Sequence, residues 1–152
     1  MKKHLIAALC VVAALPQPVA ARAAHTGCAQ TPRQVVTRFM TQFYIQKDVR
    51  GAFERWVDPG YVQHNPMAQT GRDAAIGFLE PFFKSNPQVH YEIKRIIADG
   101  PLVAVHSHGF FKAGDPGVAI VDILRVKGCR VMEHWDVVQP VPEKAANTNT
   151  MF

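Results

Sequence analysis

The chain has 152 residues, 48% of them apolar and 19% charged. That is one domain's worth of material with enough apolar side chains for a core, and it excludes both disorder and coiled coil. The formal charge of +5 falls close to neutral once Lys2, Lys3 and Arg22 are set aside with the leader described next. The remaining basic residues form no stripe that could track phosphates, so nucleic acid is not an expected partner.

The N-terminus reads as a secretory signal. Met1-Lys2-Lys3-His4 is a charged head, residues 5–15 an apolar run, and Ala21-Arg22-Ala23 an A-x-A cleavage site. The run is shorter than the ~20 residues that a bilayer span needs. The expectation is a bacterial periplasmic or secreted product, with no membrane insertion once residues 1–23 are removed. Residues 24–142 then form the domain and 143–152 a loosely held tail. Cys10 leaves with the signal, so Cys28 and Cys129 remain, either bridged or as two separate thiols. A bridge would close a loop of roughly 100 residues, worth up to ~4.7 kcal/mol in the chain-entropy model.

Thr31-Pro32 is a helix start, and Val35, Val36, Phe39, Met40, Phe43 and Tyr44 recur behind it at helical spacing. A second helix is expected over 49–56, with Phe53 and Trp56 inward. Asp58-Pro59-Gly60 is a turn, and 61–64 a short extended piece stopped by Asn65-Pro66. A third helix starts near Gly71-Arg72-Asp73 and runs to about Lys84, with Pro81 kinking or restarting its last turn. From Gln88 the period becomes two, and Ile96-Ile97 breaks it, which predicts a bulge there. Residues 102–112, 117–126 and 130–139 read as three further strands, the last two joined by a hairpin at Lys127-Gly128-Cys129. Helices followed by a four-strand meander make an α+β order.

Side chains alternate along a strand, so Leu102, Ala104, His106, His108 and Phe110 share a face. Val118, Ile120, Asp122, Leu124 and Val126 share another, with Asp122 alone among aliphatics. If Gly128-Cys129 fills the hairpin, Val126 pairs with Val131 and Asp122 with Trp135, while His134 and Asp136 face away from Asp122. A carboxylate on an apolar surface needs a donor, and His106 or His108 is the expected one. A carboxyl group beside imidazole in an apolar hollow can exchange protons with a carbon acid. A metal held by His106 and His108 with Asp122 or His64 lacks a second short-spaced ligand pair, so none is expected. With no Gly-rich phosphate loop present, no cofactor is expected either.

Tyr61-Val62-Gln63-His64-Asn65-Pro66, Val103-Ala104-Val105-His106-Ser107-His108, Val121-Asp122-Ile123-Leu124-Arg125-Val126 and Glu133-His134-Trp135-Asp136 together carry a resemblance. Over about 31–142 the chain resembles the SnoaL-like polyketide-cyclase branch of the nuclear transport factor 2 (NTF2-like) superfamily. The resemblance implies a cone, in which three N-terminal helices pack on a strongly curved antiparallel sheet around a pocket. It implies Asp122 as general acid/base, with His106 and His108 polarising a carbonyl substrate. Where related ketosteroid isomerases carry an Asp-Pro base this chain has Asn65-Pro66, and an amide cannot accept a proton as a base. Asn65 and His64, with Tyr61 and Trp135, are then substrate-binding candidates. The expected partners are a small apolar carbonyl-containing molecule and a second copy in a homodimer. Two functions follow: a cofactor-free lyase or isomerase of the aldol-condensation type, or a non-catalytic periplasmic module that binds a ligand or a partner.

Overall fold

A computed structural model describes residues 28–152 of the chain; the signal expected over residues 1–23 lies outside the described residues. The elements in order are α1 (Pro32–Met40), a π-helical turn (Thr41–Ile45), α2 (Val49–Trp56), β1 (Val57–Gln63), α3 (Arg72–Ser85), β2 (His90–Asp99), β3 (Leu102–Phe110), β4 (Val118–Lys127) and β5 (Arg130–Pro140).

Helix α1 begins on a reciprocal cap. The Thr31 hydroxyl accepts from the Gln34 amide, and the Gln34 side chain accepts from the Thr31 N–H at 2.9 Å. Its buried face is Val35, Val36, Phe39 and Met40. The helix then widens by one residue into the π turn, closed by the Gln46 N–H on the Thr41 carbonyl. That extra residue brings Phe43 and Tyr44 inward side by side. Asp48 caps α2 through the Gly51 N–H at 3.0 Å, and α2 buries Ala52, Phe53 and Trp56. Helix α3 runs unbroken through the expected kink at Pro81 to Ser85, with Pro81 on its exposed side.

The sheet has five strands, not four, in the order β1-β5-β4-β3-β2. The extra strand is the segment expected to turn at Asp58-Pro59-Gly60. It pairs with β5 in parallel, and its register jumps from Val57↔Val131 to Val62↔Glu133. The jump absorbs the turn residues as a wide bulge, held by the Asp58 carboxylate on the Gly60 N–H at 2.9 Å. Pro59 is tolerated there because an edge strand leaves one side of the ladder unpaired. 

Two further bulges curve the sheet. One lies between Ile93 and Arg95, two residues before the expected Ile96-Ile97 break, and the other opposite Arg125 and Val126. The β4–β5 hairpin turns at Gly128 and Cys129, both at positive φ, as a two-residue turn with both central residues left-handed requires. Cys129 is bridged to Cys28, with Cα atoms 5.4 Å apart, so of the two alternatives for these thiols the disulfide is the one formed. It pins the residues before α1 to the hairpin. The core joins the helices to Val103, Val105, Leu124, Val126 and Val131 of the sheet. The tail, expected to be loose, returns to the outer sheet face, where the Phe152 ring stacks on His108 at 3.9 Å.

Candidate functional site

The inner face of the sheet and the helices enclose a cavity of about 750 Å³, within the ~300–1,000 Å³ usual for small-molecule sites. Its walls are aromatic and aliphatic, including Phe39, Phe43, Phe53, Tyr91 and Leu124, and its polar groups cluster on β1, β4 and β5.

Asp122 points into this cavity as expected and is 4% exposed. Its partner is not the expected one. His134 Nε2 lies 3.0 Å from Asp122 Oδ1, and the Tyr44 hydroxyl donates to Oδ2 at 3.0 Å. The inward place of His134 has its cause on β5. The bulge on β5 inserts Met132 between Val131, which pairs with Val126, and Glu133, which pairs with Arg125. The pairing Val126↔Val131 is therefore as expected, yet Asp122 meets Asp136 and Trp135 meets Ile123. A one-residue slip turns every later side chain over, so His134 and Asp136 come inside and Trp135 goes outside.

His106 and His108 do share a face, but it is the outer one. On β3 the aliphatic set Val103 and Val105 takes the buried side, and Val105, not a histidine, sits opposite Asp122. His108 Nε2 bonds the Pro116 carbonyl at 2.8 Å, and its ring lies between Phe110 and Phe152. His106 faces Phe152 as well. Burial, with Arg95 and Lys94 nearby, holds its imidazole below the ordinary value. Neither histidine reaches Asp122 or the cavity. His64 and Trp135 are also outside, stacked on each other at 4.4 Å, with His64 Nε2 3.2 Å from Glu133. Arg125 bonds the same Glu133 and holds its carboxyl below the usual range.

Tyr61 and Asn65 do line the cavity. Asn65 is committed: its side-chain N–H₂ group spans both oxygens of Asp136 at 2.8 Å, and its carbonyl accepts from the Met67 N–H. The residue that organises the group is Gln63, which the sequence did not single out. Its Nε2 donates to the Tyr61 hydroxyl, and its Oε1 accepts from the Asn65 N–H at 3.0 Å. That backbone donor identifies the amide oxygen, so His134 Nδ1, 2.9 Å from the same oxygen, carries a hydrogen. The other ring nitrogen, Nε2, is the one turned to Asp122. The alternation Gln63 opposite His134 along the parallel pair is the signal that could have found this group, had β1 been recognised as a strand.

All three tyrosines of the chain, Tyr44, Tyr61 and Tyr91, line the cavity. Burial first, and then the negative charge of Asp122, pushes each phenol up, so all three remain neutral donors at physiological pH. Asp122, His134 and Asp136 each offer an atom within 4.8 Å of the others, a donor set that one divalent cation could share. Here those atoms bond one another and Asn65. Among the described residues no helix is long and apolar enough to cross a membrane.

Residues 36–134 match the family model described as a SnoaL-like domain. Similar solved structures include an NTF2-like protein of unknown function from Cytophaga hutchinsonii, at 13% identity over 74% of this chain and 94% of that one, TM-score 0.61. A candidate polyketide cyclase from Acidithiobacillus ferrooxidans matches at 13% identity over 74% and 90%, TM-score 0.57. A candidate SnoaL-like polyketide cyclase from Jannaschia matches at 17% over 74% and 91%, TM-score 0.56. At such identities the likeness is one of fold. No curated protein matches the chain in sequence.

Proposed function

We propose, from the premise that this chain belongs to the SnoaL-like domain family, that it binds an apolar carbonyl compound in its cavity and moves a proton on it without a cofactor. The observation that carries this is the Asp122–His134 contact at 3.0 Å inside that cavity. Asp122 takes a proton from the carbon beside the carbonyl. The C–H bond breaks and its electron pair becomes the enolate; the same carboxyl then returns the proton, to carbon in an isomerisation, or to the oxygen of the second carbonyl that the enolate carbon has attacked in an aldol closure. His134 steadies the charge on Asp122. Tyr61, whose oxygen already accepts from Gln63, donates its O–H to the enolate oxygen. Asn65 takes no part in this transfer, its amide being bonded to Asp136 and to the Met67 N–H.

The test needs no native substrate. In heavy water, phenylbutanone held in the cavity should exchange its α-hydrogens faster with the protein than without it, and Asp122→Asn should remove the acceleration while the variant stays folded. An active Asn variant would rule out this acid/base.

The second reading is a non-catalytic binding module. It is favoured by the two bonds that already occupy both oxygens of Asp122, and it predicts binding of the ketone with no exchange. Export to an oxidising compartment belongs to either reading, supported by the Cys28–Cys129 bridge. Pairing of two copies through the outer sheet face is part of the proposal too, tested by the mass of the protein in solution.

A further inference from the structure

Asp136 is the cavity carboxylate that proton transfer leaves unused. Both its oxygens share a single donor group, the Asn65 amide, at 2.8 Å. A carboxylate offers about four acceptor positions, so Asp136 keeps acceptor capacity toward the hollow it lines. Its charge is also uncompensated. Asp122, by contrast, has a partner at each oxygen, the Tyr44 hydroxyl and the His134 ring. Among the described residues no Lys or Arg lines the cavity, although the chain as a whole carries +5. After burial, Asp122 adds to the upward push on all three phenols, and Asp136 to that on Tyr44 and Tyr61.

We propose that the cavity selects an apolar ligand bearing a protonated amine, with the ammonium group docked on Asp136 and the carbon body among Phe39, Phe43, Phe53 and Tyr91. A cation gains from the carboxylate and from aromatic walls alike. A carboxylate or phosphate ester would enter a space where none of the described lysines or arginines meets it, at a high cost in lost hydration. This rests on the cavity being the ligand site and names its substrate class: a carbonyl compound carrying a basic nitrogen.

Titration calorimetry near neutral pH with three probes of one shape, phenylbutylamine, phenylbutanol and phenylbutyrate, tests it. The amine should bind about tenfold or more tighter than the alcohol, as a charge-assisted contact in a sheltered site allows, and the butyrate weakest. Asp136→Asn should bring the amine down to the alcohol and leave the alcohol where it was. Equal binding of amine and alcohol, a preference for the butyrate, or an amine preference that survives Asp136→Asn would overturn the proposal and leave the cavity standing as a ligand site. No binding of any probe would overturn both. A clear amine preference in a protein that exchanges no α-hydrogens would uphold the ligand class and sink the proton chemistry.

Discussion

His134 on the inner face of β5 and His108 on the outer face of β3 are both half-buried imidazoles, yet they have different neighbours. His134 is fixed at both nitrogens, by Asp122 and by the Gln63 amide, at the edge of a hollow large enough for a ligand. His108 is held by one backbone carbonyl and packed between two phenyl rings. The comparison teaches that an imidazole acquires chemistry from a titratable partner and an accessible space. A face shared with an aspartate in the sequence is not enough.

The comparison can be broken most sharply at Asp122. Asp122→Asn is expected to lower α-hydrogen exchange by about 10²–10⁴-fold; a loss of that size from His108→Gln instead would reverse the assignment of faces. Next in size is Tyr44→Phe, which leaves Asp122 Oδ2 without its donor. Chemical denaturation should show a loss of about 1–3 kcal/mol, and no loss would mean that water replaces the hydroxyl.

The phenols sharpen the contrast further. Their folded values lie above the unfolded one, so the stability tied to their neutral form is fully present below about pH 10 and is lost as pH rises beyond it. Absorbance of ionised tyrosine should therefore appear only as the protein unfolds in alkali, because all three lie on the inner side. Phenolate appearing in folded protein near pH 10 would show the cavity to be wetter than described.

The smallest effect belongs to the outer face. His106 is held below its ordinary value by burial and by Arg95 and Lys94. Its contribution is present above about pH 6.5 and fades as pH falls through the folded value. His106→Gln should flatten the acid side of the stability profile slightly and leave exchange unchanged.

Most of the architecture could be read from the sequence because each element carries a local signal. The Thr31 cap, the helical stripe ending at Tyr44, the period-two strands and the Gly128-Cys129 hairpin are all set by neighbours within a turn or two. The inward placement of Asp122 follows from its strand's aliphatic alternation in the same way. What the sequence hid is long-range register. Strand β1 was obscured because Asp58-Pro59-Gly60 has turn chemistry, and only pairing with β5 makes it a bulged strand. Met132 gives no sign of being a bulge residue, yet it decides that His134 and Asp136, not Trp135, face the cavity. On β3 the choice of buried face went to Val103 and Val105, which a weighing of aliphatic against imidazole side chains would have favoured.

The central claim is that Asp122 works with the imidazole across β4 and β5. Deuterium incorporation into phenylbutanone by His134→Gln, set beside the His106→Gln/His108→Gln double variant, tests it most directly. The account predicts that the first loses most of the acceleration and the second keeps all of it. Full exchange in the first, or its loss in the second, would contradict the account.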